Sequence, residues 1–311
     1  MPTPEANLPA GGDPDYQPYQ SGEFRWRLGL RPLDLANWIE ICPRYDEDLA
    51  AKREILAAHP STVLAWLEGI EPEAREVLAA LLAHLDAHRP GLIARHHGAE
   101  GEEIENCRTG ERWRVADIHP LDLAGRLVQE DLVLMVERGG SLVFGGGSVC
   151  FPNRWDLASK LGRPLADVHA PVARLNEQLA APIDAFLARL SPEKSFWRLG
   201  WGVLDTSERY QAVDGTAPAP PQLPRAGDPA AGEQLFLRVE RETLRRFPDT
   251  GCVLFTIRTY LRPLSELATR PDDAARLSAA LQALPDDVAR YKQLVDLAPA
   301  AVEWLQTVSE T

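Results

Sequence analysis

Five strand-like segments in two groups constrain this chain most. Leu132-Val133-Leu134-Met135-Val136 is apolar on both faces, as a buried strand is, and Gly139-Gly140 turns it into Leu142-Val143-Phe144 as a hairpin. Helical pattern follows: Asn153 is placed to cap a helix through Lys160, and another runs from about Leu175 to Leu190. Strand character then returns at Phe196–Leu204, Gln234–Glu240 and Cys252–Arg258. Two strands, a helical insertion and three strands make one antiparallel sheet with a pocket between its inner face and the inserted helices. That is the order a PAS-like sheet needs. The expected class is α+β, with further helices at both ends.

The flanks divide the rest. Residues 1–22, rich in Pro, Gly, Asp and Gln, are expected to form a flexible N-terminal arm. Residues 23–130 read as a helical and hairpin region packed on the core. In it, Asp46 or Asp48 could cap a first helix, Ser61-Thr62 starts a second through Leu64 and Leu67, and Pro72 suits the first turn of a third. A hairpin turns at Thr109-Gly110, and Leu121 to Gln129 is a short helix. Residues 131–268 are the PAS-like core, and 269–311 are C-terminal helices. The Pro/Ala/Gly-rich stretch from Ala212 to Gly232 reads as a surface loop.

Charge and cysteine usage narrow the function. The 311 residues carry a formal net charge of −13, so no basic stripe exists to bind nucleic acid. No apolar run reaches membrane-spanning length, and Met1–Ala6 lacks the basic and apolar regions of a signal peptide, which gives a cytoplasmic expectation. Cys42, Cys107, Cys150 and Cys252 form no C-x-x-C pair, so iron–sulfur and structural zinc sites find little support.

Several segments could carry chemistry, each against a plainer reading. His84 and His88 lie one helical turn apart, but no acidic third ligand is near, so a solvated helix face is preferred over a metal site. Gly145-Gly146-Gly147-Ser148 lacks the endings of a P-loop or a dinucleotide motif and reads as a turn or bulge. His169, between short apolar steps and followed by Pro171, suits an axial ligand to haem iron; its alternative is a hydrogen-bonded loop histidine. In Phe196–Leu204, alternation puts Trp197, Leu199, Trp201 and Val203 on one face and Arg198, Gly200 and Gly202 on the other. Glycines there leave room for a flat ligand, or mark a bulge. Leu237–Pro248 reads as a strand running into a short helix. Arg238 and Arg258 fall on the mixed faces of their strands, where they need anionic partners: either Glu240 and Glu242, or the propionates of a haem.

Taken together, Cys150-Phe151-Pro152-Asn153-Arg154-Trp155, Lys160-Leu161-Gly162, Val168-His169-Ala170-Pro171-Val172, Arg238–Leu244 and Phe255–Tyr260 resemble the haem-dependent oxidative N-demethylase alpha-subunit-like family over about residues 24–268. The resemblance implies a PAS-like fold forming a pocket for haem b, with His169 as the proximal iron ligand. It implies oxidative removal of a methyl group from a small secondary amine such as dimethylamine, by a monooxygenase-type reaction with dioxygen that releases formaldehyde. It implies electrons from NADPH that arrive through separate flavin and iron–sulfur subunits; this chain has no motif for either. The chain departs from the family where Pro171-Val172-Ala173 replaces Pro-Val-Pro, and where Phe196–Trp201 replaces an Arg-x-Asn-Trp pattern. The competing reading is a non-catalytic haem-binding gas or redox sensor, because PAS-like pockets commonly serve signalling.

Overall fold

Both glycines of the Gly139-Gly140 turn have positive φ, 60° and 80°, which a tight hairpin turn between right-twisted strands requires. Around this hairpin the computed structural model describes residues 14–19, 24–99, 101–172, 174–211 and 223–310. In chain order come β1 (Arg31–Leu33), α1 (Tyr45–Ala58), α2 (Pro60–Val63), β2 (Leu64–Trp66) and α3 (Glu71–His88). Then follow β3 (Ile93–Gly98), β4 (Gly101–Asn106), β5 (Arg112–Arg114) and α4 (Pro120–Leu127). The central hairpin is β6 (Asp131–Arg138) and β7 (Ser141–Ser148). The insertion holds α5 (Leu165–His169) and α6 (Leu175–Arg189). After it come β8 (Ser195–Leu204), α7 (Ala231–Gln234), β9 (Phe236–Arg246) and β10 (Val253–Pro263). The tail is α8 (Pro271–Gln282), α9 (Asp286–Tyr291) and α10 (Ala298–Ser309).

Seven strands form one sheet in the order β1-β8-β9-β10-β6-β7-β2, and β3-β4-β5 form a second, smaller one. Every pairing is antiparallel. The last strand, β10, pairs with the first strand of the central hairpin, β6, so the two groups close into one surface. Residues before 131 supply both edge strands, β1 and β2.

Alternation sorts the core onto the two faces. Leu132, Leu134, Val136 and Leu254 pack with α3 and α4, and Val203, Leu237, Val239 and Tyr260 pack with α8 and α10. Val133, Met135, Val253, Phe144 and Phe196 turn the other way, toward Leu165, Val168, Ile183 and Leu187 of the insertion. The insertion therefore packs on this face over β6, β7, β10 and the start of β8.

Several expectations are corrected. Residues 241–246 continue as strand rather than turning helical, because β10 pairs with all of them and β8 with those up to Leu244. The segment at Ser61-Thr62 stops being helical at Val63, and Leu64–Trp66 becomes β2 on the edge of β7. Arg44 stands at the N-cap of α1; Asp48 is drawn into the interior by Arg258 and Gln129 instead. No helix starts at Asn153; Ala158–Lys160 makes a single 3-10 turn. His84 is buried, not solvated, with its ring edge-on to Trp38.

Residues 14–19 of the expected arm are docked on the fold: Tyr16 and Tyr19 are buried and Asp15 pairs with Arg262 and Arg270. Its remaining residues, 1–13 and 20–22, lie outside the described residues, as do 212–222 of the expected surface loop.

The triple glycine lies within β7. Gly145 is the bulge residue, skipped where the β6 register passes from Leu134↔Gly146 to Met135↔Phe144. A Cβ on Gly147 would come within 2.8 Å of Leu157 and 3.1 Å of the Leu132 carbonyl, so neighbours on both sides exclude side chains here.

Candidate functional site

Asp131, the first residue of β6, shapes the loop that opens the insertion. Its carboxylate accepts the backbone N–H groups of Cys150 and Phe151, both at 2.8 Å, and lies 3.9 Å from the buried Lys52 ammonium. The Phe151 carbonyl then accepts from Arg238 Nη2 at 2.7 Å. Arg154 takes a left-handed φ of 58° and pairs with Asp205 at 2.8 Å. The backbone of the Cys150–Trp155 motif is thus held to the sheet by the side chains of Asp131 and Arg238.

The insertion carries His169 at the last position of α5. Lys160 Nζ donates to the Val168 carbonyl at 2.9 Å and Asn176 to the Ala166 carbonyl at 2.8 Å, which fixes the short helix. Arg174, in a left-handed turn between α5 and α6, pairs with Asp287 of α9 and ties the insertion to the C-terminal helices. The His169 ring is half-buried and makes no hydrogen bond among the described residues. Burial, then the nearby Arg198 and Lys160 cations, pulls its pKa down to about 4. The imidazole is therefore neutral at pH 7, the state in which it can ligate a metal.

Arg198 belongs to the face of β8 and β9 that is turned toward the insertion. Arg198 stands opposite Glu242, Gly200 opposite Glu240, and Gly202 opposite Arg238. Arg198 Nε bonds Glu242, and Arg238 Nε bonds Glu240 at 2.7 Å. Burial pushes the Glu242 carboxyl up, while Arg198 opposes the shift. Lys292, just past α9, donates to the Trp201 carbonyl at 2.7 Å and faces both glutamates. Three cations thus meet two carboxylates. Arg238 Nη1 is buried with no hydrogen-bond partner among the described residues. The space over Gly202 is open, whereas the glutamate carboxylates hang over Gly200, 3.3 and 3.5 Å from where a Cβ would sit.

Arg198, Gly200, Gly202 and Arg238 thus share one face, and His169 of the insertion lies near enough to Arg198 to feel its charge. The structure does not bring Arg258 there. Arg258 stands opposite Arg241, one residue from Glu242 in β9, and successive residues of a strand point to opposite faces. Its guanidinium is buried against Asp48 at 3.1 Å and lies over the Tyr260 ring. Sequence reasoning missed Lys160 and Lys292. Lys160 stands in the Lys160-Leu161-Gly162 motif, but nothing local shows that its ammonium reaches the Val168 carbonyl, and only the tertiary return of α9 brings Lys292 to β8. Among the described residues, no three His, Cys, Asp or Glu side chains gather as they would around a metal ion. No described helix is long and apolar enough to cross a membrane.

The family described as haem-dependent oxidative N-demethylase, alpha subunit-like, matches residues 29–302. The chain belongs to this family.

Proposed function

We propose that this chain is the haem-binding subunit of an oxidative N-demethylase, with His169 as the axial ligand to haem b and the β8–β9 face as the seat of the cofactor. The observation that carries the reading is the environment of His169: a half-buried, neutral imidazole without a hydrogen bond among the described residues, within reach of the charge of Arg198 on the glycine-bearing face of β8. Haem fits these residues in two further respects. The excess positive charge of Arg198, Arg238 and Lys292 suits propionate carboxylates, and the unpartnered Nη1 of Arg238 is a donor left for one of them. The open space at Gly202 suits a flat ring edge. Two strands, an insertion and three strands closed through β10 and β6 support the PAS-like reading of the sheet.

Bound haem iron supplies the oxidising chemistry, with dioxygen and electrons from outside the chain. The chain's own groups hold and orient: His169 offers a neutral nitrogen, Glu242 keeps Arg198 in place, and Ile183 and Phe186 of α6 pack with Phe196 in the apolar layer between insertion and sheet. The substrate is a small secondary amine of the dimethylamine kind, demethylated to a primary amine and formaldehyde. Electrons come from NADPH through separate flavin and iron–sulfur subunits.

Purified protein is expected to show a b-type Soret band that His169→Ala abolishes or shifts. With a surrogate reductant and dioxygen it is expected to release formaldehyde from dimethylamine, against trimethylamine and sarcosine as comparisons. An unchanged spectrum in the variant removes His169 from the site. Haem that reduces and binds dioxygen, with no formaldehyde from any of the three amines, replaces the enzyme reading with the sensor one.

A further inference from the structure

On the far side of β8 from His169, two tyrosines share one carboxylate. Tyr16, in the docked N-terminal segment, donates its phenol O–H to Glu40 Oε1, and Tyr260 of β10 donates to Glu40 Oε2 at 2.5 Å. The two rings are 5.7 Å apart between centroids, and Tyr16 is 5.9 Å from Trp197. Trp197 is the β8 neighbour of Arg198, so an aromatic path leads through the sheet from the proposed site. Both phenols are buried, and Arg241 Nε lies 3.3 Å from Glu40.

We propose that Tyr16 and Tyr260, with Glu40 as their common proton acceptor, form a proton-coupled redox pair that draws an oxidising equivalent away from the site through Trp197. The source of that equivalent rests on the haem reading above. A phenol loses its electron readily only if its proton leaves with it. Here one electron passes from a tyrosine, by way of Trp197, to a dioxygen- or peroxide-derived oxidant at the site, which is reduced by one equivalent. The phenol O–H breaks and its proton forms a new O–H bond on Glu40. A neutral tyrosyl radical and a carboxylic acid remain, and an external reductant with return of the proton restores both. The direction is set by charge. Arg31 and Arg241 lie 5.3 and 5.5 Å from the centroid of the Trp197 ring and disfavour a radical cation there, whereas the tyrosines carry no net charge once the proton has moved.

The protein contains its own contrasts. Tyr19 is 6.3 Å from Trp201 and equally buried, but its O–H has no partner among the described residues. Tyr45 donates to the Leu127 carbonyl at 2.7 Å, an acceptor too weakly basic to take the proton. Neither should hold a radical.

The test has two arms. In the first, the full chain is flash-oxidised by ruthenium tris-bipyridine with persulfate and followed by electron paramagnetic resonance. Exposed radicals couple and decay, so a persistent tyrosyl signal is expected from the buried pair. It should be lost in the Tyr16→Phe/Tyr260→Phe double variant, lost in Glu40→Gln, and unchanged in Tyr19→Phe. In the second arm, the haem-loaded chain receives hydrogen peroxide, and the same signal should appear more slowly in Trp197→Phe. A signal that survives the double variant, or that Tyr19→Phe removes, overturns the pair. An unaltered rate in Trp197→Phe overturns the path. A chain that takes up no haem overturns the proposed function and the path with it, while the ruthenium arm still decides the pair.

Discussion

Arg198 and Arg258 stand against adjacent residues of β9, Glu242 and Arg241, and so lie on opposite faces of one sheet. Their replacement should therefore have different consequences. Arg198→Leu removes a half-exposed cation beside His169 and should weaken haem retention by about 1–3 kcal/mol, the scale of a charged hydrogen bond. Arg258→Leu leaves Asp48 buried without one of its two strong cationic partners, the other being Arg209. It should destabilise the fold by on the order of 3–5 kcal/mol. Haem titration of each variant, beside urea unfolding of the haem-free proteins, separates the two effects. Equal stability loss in both would mean that Arg198 is no less structural than Arg258.

A second prediction concerns Asp131. Its carboxylate accepts two buried backbone N–H groups and neighbours a buried ammonium. Asp131→Ala leaves both N–H groups without their acceptor and the Lys52 ammonium, still bonded to the Val128 and Glu130 carbonyls, without its counter-charge, and should cost on the order of 3–5 kcal/mol. The Cys150–Trp155 loop should also loosen, because Arg238 then grips a carbonyl that is no longer held. Hydrogen exchange at Cys150 and Phe151 reads this directly. Protection retained at both amides would show that the loop is fixed by its side chains instead.

These contacts show why part of the site was legible in the sequence and part was not. Strand alternation is a local property, so Arg198, Gly200 and Gly202 could be placed together from residue order alone, and the turn glycines at 139 and 140 announced their hairpin. Which side of the sheet a second strand's mixed face joins depends on register, and register is set by partners far along the chain. Arg258 was misplaced for that reason. Arg-Glu-Thr-Leu-Arg-Arg at 241–246 suits a helix locally; pairing with β10, and with β8 up to Leu244, decides otherwise. Asp48 is polar and sits in a helix's first turn, and nothing local says that it will be drawn under the sheet by Arg258.

The glycines of β7 carry a third prediction. Gly147→Ala places a methyl group 2.8 Å from Leu157 and 3.1 Å from a β6 carbonyl. A flexible leucine tip can move, but the carbonyl belongs to the ladder and cannot. The variant should lose about 1–3 kcal/mol to overpacking. The same change at Gly202, where nothing lies within 4 Å of the new methyl, should leave stability nearly unaltered while reducing haem uptake. Thermal melts of the haem-free proteins and a haem titration distinguish the two glycines. Equal melting losses would mean that the space over Gly202 is closed.

The last prediction is an acid sensitivity shared by two distant histidines. Burial is the first cause of the lowered pKa of both His84 and His169, each pulled from 6.5 to about 4. His88 and Arg89 add to it at His84, and Arg198 and Lys160 at His169. Both rings are neutral in the fold at pH 7. Between pH 6.5 and 4 the unfolded chain binds protons that the folded chain refuses. Their contribution to stability is complete above pH 6.5 and is lost as pH falls through about 4. One proton sets a limiting slope of about 1.4 kcal/mol per pH unit for each histidine. Buried carboxyls such as Glu130 and Glu242, whose pKa values are raised, act in the opposite sense, so the comparison must be between variants. Urea midpoints measured from pH 7 to 4 should fall less steeply in His169→Gln than in the unaltered chain, and less steeply still when His84→Gln is added. Loading with haem should leave the His169 share in place and extend it below pH 4, because a ligated nitrogen still refuses the proton that the unfolded chain takes up. Parallel pH profiles for the chain and the double variant would mean that both rings take up protons as freely in the fold as in the unfolded chain.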